Sequence, residues 1–177
     1  MKSLIQSGIF LSDDTIMKKT NNGIIIYYME NFYKKEFKQT LEANKNCRDV
    51  LARDGVLSLY SFLSENGYTP MKRMAIIEAF VYYPLIIDGP INEDELHFIT
   101  VALNQNELGL EEANFIAQRN TDVRDVLFQI IKDLKGIAVY DVLNLVFIGL
   151  IVDNNDDMND IEFEFFDELF LKVLETL

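Results

Sequence analysis

From Tyr68 onward, apolar residues recur three and four positions apart, and caps and turns break the run into segments. This spacing predicts a succession of amphipathic helices. Thr69-Pro70 is an N-cap followed by a first-turn proline, and Met74, Ile77, Val81 and Ile87 extend the helix it opens to Asp88. Pro84 lies inside that helix and is expected to kink it. After the Asp88-Gly89-Pro90 turn, Asn92 caps a helix, and Glu95 three residues on completes a capping-box pattern. Leu96, Ile99 and Leu103 are its expected buried stripe. Gly109 separates a short helix over 110–119. Thr121 is expected to cap the next, which carries Val126, Leu127, Ile130, Ile131 and Leu134 and ends at Gly136. Ile137 to Val152 is apolar on nearly every face, which places it at the centre of a bundle. Asn159 opens the last helix, with Phe163, Phe166 and Phe170 expected to face inward.

The N-terminal part is less regular. Ser12-Asp13-Asp14 is a candidate cap, and Asn21-Asn22-Gly23 is a turn signal. Ile24-Ile25-Ile26-Tyr27-Tyr28 has strand propensity. Tyr28, Phe32, Phe37 and Leu41 nevertheless continue at near-helical spacing, and a helix over about 23–43 is expected. Residues 47–66 read as helical, with Gly55 a candidate break and Gly67 the end. The expected fold class is all-α. An N-terminal helical segment spans 1–67, and a helical domain spans 68–177. No low-complexity linker separates them, so one compact unit is expected.

Charge is spread unevenly along the chain. Residues 1–70 hold nine Lys/Arg and eight Asp/Glu, whereas 71–177 hold seven against twenty-one. All of the net −13 therefore arises in the second part, the wrong sign for direct binding to nucleic acid. An acidic surface suits cations or a partner protein with a basic surface. Cys47 is the only cysteine, which excludes an internal disulfide and fits a reducing, cytoplasmic setting. The apolar run Leu143 to Val152 is about half of what a bilayer requires, so no membrane span is expected.

Two stretches match. Leu85-Ile86-Ile87-Asp88-Gly89 aligns with Leu150-Ile151-Val152-Asp153-Asn154, and Asn92 to Ile99 aligns with Asn159 to Phe166. Asp88 then corresponds to Asp153 and Glu95 to Glu162, in a unit repeated about 65 residues apart. An Asp ending one helix and a Glu one turn into the next can converge across a tight turn. Carboxylate and carbonyl oxygens are what Ca²⁺ and Mg²⁺ take. Capping and the helix dipole account for a Glu in the first turn. They do not account for the preceding Asp. Asp88, Glu95, Asp153 and Glu162 are therefore the candidate metal ligands. Asp156, Asp157, Asp160 and Glu164 are candidates for contact with a basic partner.

Asp153, Asn155, Asp157, Asn159 and Glu164 also fall at positions 1, 3, 5, 7 and 12 of an EF-hand-like loop. Met158 stands where that loop needs glycine, and Ile161 lies one position past its apolar site. His97, the only histidine, is a candidate ligand or base beside Glu95, though a lone helical His is more often structural. No nucleophile elbow, phosphate-binding glycine loop or Cys/His zinc spacing occurs, and no catalysis is expected. Lys34, Lys35, Lys38 and Lys45 form a modest basic face.

The repeated pattern resembles the tellurite-resistance TerB-like family over about 71–177. There an Asp-Gly turn follows an apolar helix and precedes an acidic helix start, in two related halves. Asp88-Gly89 followed by Asn92-Glu93-Asp94-Glu95 fits. The second half departs, with Asn154 in place of Gly and a turn two residues longer. The resemblance implies an all-α fold and a metal site at the acidic turns. It also implies a stress-associated, non-catalytic role. The expected function is a binding domain for a divalent cation, a basic protein partner, or both. The alternative is an acidic mimic of nucleic acid that blocks a basic groove.

Overall fold

A computed structural model of the chain describes residues 16–19, 25–28, 37–153 and 158–174. These fall into two units, one ending at Ala43 and one spanning Asn44–Thr176.

The first unit holds strands β1 (Ile16–Lys19) and β2 (Ile25–Tyr28), paired antiparallel with Ile16 opposite Tyr28, and one helical turn, α1 (Lys38–Leu41). The helix expected over 23–43 is thus corrected. The β-branched and aromatic run Ile25-Ile26-Tyr27-Tyr28 follows its strand propensity, and among the described residues of the stretch helix is found at Lys38–Leu41. The candidate cap at Ser12–Asp14 and the turn at Asn21–Gly23 lie outside the described residues.

The second unit is all-helical: α2 (Lys45–Glu65), α3 (Pro70–Leu85), α4 (Glu93–Leu103), α5 (Leu110–Ala117), α6 (Arg124–Asp133), α7 (Ile137–Ile151) and α8 (Asp160–Leu174). A 3-10 turn, Gln118–Asn120, extends α5. Because α2 packs on α7, the boundary expected near 67–70 falls inside this unit, between α2 and α3.

α7 is the centre, as its all-round apolar face requires. Val142 to Ile151 is buried without interruption, and α7 packs against α2, α3 and α8. Each large apolar side chain there contributes roughly 1.5–3 kcal/mol by burial. Asn144, buried in the same run, satisfies its amide by donating to Tyr140 O at 3.0 Å.

Local signals fix most of the ends. Gly67, at φ 75°, closes α2, with Tyr68 N–H on Leu63 O at 3.0 Å. Thr69 Oγ1 accepts from Lys72 N–H at 3.4 Å and Pro70 opens α3. Four expectations are corrected. Gly55 does not break α2, since α7 presses against the helix at that point and needs the missing side chain. α3 stops at Leu85 rather than Asp88. Pro84 cannot donate to the preceding turn, and the end tightens as Ile86 N–H reaches Tyr83 O at 3.3 Å. Thr121 does not cap α6; its hydroxyl bonds Gln118 O, and Val123 stands at the N-cap. Gly136, at φ 65°, opens α7 instead of closing α6.

The buried stripes of α4 and α8 are turned from the expected register. Glu95, Phe98, Ile99 and Ala102 are buried on α4, and Glu162, Phe165, Phe166, Leu169 and Val173 on α8. Leu96, Leu103, Phe163 and Phe170 are only partly covered. In both helices a glutamate occupies the first inward position, because its carboxylate turns back onto the helix cap. No helix among the described residues is long and apolar enough to cross a membrane.

Candidate metal centre

The site is built by two turns that use identical capping chemistry. In the first, Asn92 Oδ1 accepts from Asp94 N–H at 2.9 Å and Glu95 N–H at 3.1 Å, while Glu95 Oε2 accepts from Asn92 N–H at 2.7 Å. In the second, Asn159 Oδ1 accepts from Ile161 N–H at 3.0 Å and Glu162 N–H at 3.1 Å, while Glu162 Oε2 accepts from Asn159 N–H at 2.7 Å. Both are complete capping boxes, which use up donors that a helix start leaves open.

The amide groups left over cross between the turns. Asn92 Nδ2 donates to Asp153 Oδ2 at 3.3 Å, and Asn159 Nδ2 donates to Asp88 Oδ2 at 3.0 Å. Each Asn thus caps its own helix and holds the aspartate of the other turn. A Ser, Thr or Asp cap has no equivalent amide donor. The helices leading into the turns touch where the two stretches align: a Cβ built on Gly149 would lie 3.2 Å from Pro84 Cβ. That contact sets the ends of α3 and α7, and therefore Asp88 and Asp153, side by side.

Three of the four candidate carboxylates gather as a result. One oxygen each of Asp88, Glu95 and Asp153 lies within 4.8 Å of the others. Asp88 is exposed, Asp153 half-buried and Glu95 only 2% exposed. Glu162, also 2% exposed, stands outside this group, although its charge acts on Glu95. Among the described residues no Lys or Arg pairs with Asp88, Glu95 or Asp153.

This crowding disfavours ionisation. Burial pushes the Glu95 carboxyl up to about 7; Asp153, Asp88 and Glu162 push the same way, and the hydrogen bond from Asn92 opposes them. Burial and the neighbouring Asp88 also raise Asp153, against hydrogen bonds from its own backbone and from Asn92. A shift of that size in Glu95 corresponds to roughly 3 kcal/mol against the charged form. The dipoles of α4 and α8 return only about 0.3–1 kcal/mol each. The triad is therefore short of positive charge.

A pH dependence follows in the metal-free chain. Between about 4.5 and about 7 the folded state keeps a proton on Glu95 that the unfolded chain has released. Stability from this group is complete below that window and is lost as pH rises through it. Thermal melts in chelator are expected to show a falling melting temperature from pH 5 to pH 8. The slope should be clearly shallower for Glu95→Gln, and equal slopes would assign the dependence to other groups.

The other candidates stand elsewhere. His97 Nε2 lies 3.6 Å from Asp49 Oδ2, so it faces α2 and not the triad. Asp160 and Glu164 are exposed near the start of α8, and Asp156 and Asp157 lie outside the described residues. In the EF-hand register Glu164 would be the last ligand, yet Glu162 is the glutamate that turns inward. Of the basic face, Lys38 pairs with Glu42 at 3.5 Å, and Lys34 and Lys35 lie outside the described residues. The crossed Asn–Asp pairs were not foreseen, although the Asn common to both caps was their visible signal. No family model matches the chain, and no curated protein or solved structure is significantly similar to it.

Proposed function

We propose that this chain is a non-catalytic, TerB-like binding domain of a reducing, cytoplasmic compartment. Its paired acidic turns hold one divalent cation between them. The observation that carries this reading is the meeting of Asp88, Glu95 and Asp153 from two turns, with no Lys or Arg among the described residues paired to them. Oxygens on one ion stand no farther apart than twice the metal–oxygen distance. That limit is about 4.6–5.2 Å for Ca²⁺ and about 4.1 Å for Mg²⁺. Separations within 4.8 Å can be spanned by one Ca²⁺, and by Mg²⁺ only where they fall below about 4.1 Å. Glu162 adds its negative charge beside Glu95.

The exposed acids beside the site, Asp160 and Glu164, suit a basic protein partner. A nucleic-acid mimic needs acids spaced along a surface like phosphates, and convergence of three carboxylates favours the cation instead. Calorimetric titration with Ca²⁺, Mg²⁺ and Mn²⁺ tests the reading. Saturable binding of one ion per chain, strongest for Ca²⁺ over Mg²⁺, is expected. No heat and no thermal stabilisation at millimolar metal would sink it.

A further inference from the structure

A second surface lies beside the acidic turns. The end of α3, the turn before α6 and the first turns of α8 enclose a crevice of about 250 Å³. Its lining includes Tyr83, Phe165, Ile86, Ile87 and Ile161. Tyr83 and Phe165 meet edge to face at 5.1 Å. The space is smaller than the roughly 300–1,000 Å³ that cofactors and drug-sized ligands occupy, and suits one side chain. Ile161 is 57% exposed in the first turn of α8, where helix formation gives no reason for a β-branched apolar residue.

The rim is acidic. Arg124 lies over the Phe128 and Phe165 rings at 5.4 and 5.9 Å, but its charge is already matched by Glu168 at 2.6 Å. Glu164 lines the crevice, and Asp160 precedes Ile161. Asp122 and Asp125 are near enough to act on Tyr83, whose phenol burial pushes up, with Arg124 opposing and Glu168 adding.

We infer that this crevice is the anchor pocket for a basic peptide segment of a partner protein. One aliphatic or aromatic side chain enters beside Ile161, and flanking Lys or Arg residues face Glu164 and Asp160. The inference rests on the basic-partner part of the proposed function and not on the cation. Charge complementarity selects the occupant, since an acidic or neutral segment would gain nothing from the rim. An apolar anchor in a pocket, ringed by charge, divides the work between affinity and orientation.

Selection of a random twelve-residue peptide library on the full chain, followed by anisotropy titration of the enriched peptides, tests this. Enriched sequences should carry one large apolar residue flanked by Lys or Arg, and should bind less tightly as salt rises. Ile161→Ala should weaken them at least about five-fold and Glu164→Lys at least about ten-fold. Glu95→Gln should leave them unchanged, which separates this surface from the cation site. Failure to enrich peptides, enrichment without the basic–apolar pattern, or indifference to Ile161→Ala would each overturn the inference. A concentration-dependent dimer abolished by Ile161→Ala would assign the crevice to a second copy and overturn it too.

Discussion

Replacing Gly55 by alanine is expected to lower the melting temperature by about 5 °C or more, although alanine is the better helix former. In an exposed helix the substitution would gain about 1 kcal/mol. Gly55 is buried where α2 crosses α7. A Cβ there would stand 2.6 Å from Leu145 Cβ and 2.7 Å from Asp141 O. Neither atom is the free end of a side chain, so the helices themselves must separate. The same seam carries Ser58 Oγ donating to Asp141 Oδ2 at 2.5 Å, which separation would stretch. Overpacking of this kind costs typically about 1–3 kcal/mol, and loosening the central helix puts the effect in the upper part of that range. A net loss of 1–2 kcal/mol corresponds to roughly 4–10 °C in a unit of this size. Gly149→Ala meets Pro84 Cβ at 3.2 Å and should be milder. Circular-dichroism melts decide the matter. A Gly55→Ala chain as stable as the parent would contradict the close crossing.

Glu95→Gln is expected to act in opposite directions on stability and on metal binding. Glutamine keeps the size of the side chain and an oxygen to accept from Asn92 N–H, so the capping box survives. It removes a buried charge that Asp153, Asp88 and Glu162 all repel. At pH 7.5 without metal, the variant should be about 1–3 kcal/mol more stable than the parent. The cation site, however, loses one of three carboxylates, and affinity follows ligand charge. A free Ca²⁺ concentration one hundred times the parent Kd stabilises the parent by about 2.7 kcal/mol. With affinity reduced at least about ten-fold, that gain should fall to about 1.4 kcal/mol or less in the variant. Thermal melts of both chains, with chelator and with Ca²⁺, give the four values needed. If the parent gains nothing from Ca²⁺, Glu95 is a cap and no ligand.

Much of this was written in local sequence. The caps at Thr69, Asn92 and Asn159, the glycine end at Gly67 and the all-apolar α7 depend on neighbouring residues or on composition. Periodicity reports them directly. The pairing of Asp88 with Asp153, and Glu95 with Glu162, was visible as an aligned spacing. What failed depends on partners distant in the chain. Gly55 reads as a helix breaker until α7 lies against it. Leu96 and Phe163 read as core residues by spacing, but the inward positions go to Glu95 and Glu162, whose carboxylates satisfy backbone donors. The strand at Ile25–Tyr28 and the competing helical pattern were both present, and strand propensity prevailed. The crossed Asn92–Asp153 and Asn159–Asp88 bonds span 61 and 71 residues, and no local rule predicts them.

On the proposed reading, one ion sits between the two turns, shared by both. Crystals of the full chain grown with Mn²⁺ and measured for anomalous scattering test it most directly. A single strong peak is expected within bonding distance of Asp88, Glu95 and Asp153, absent in crystals of Glu95→Gln. No peak at the triad, or a peak held within the 153–164 loop by Glu164 alone, would contradict it.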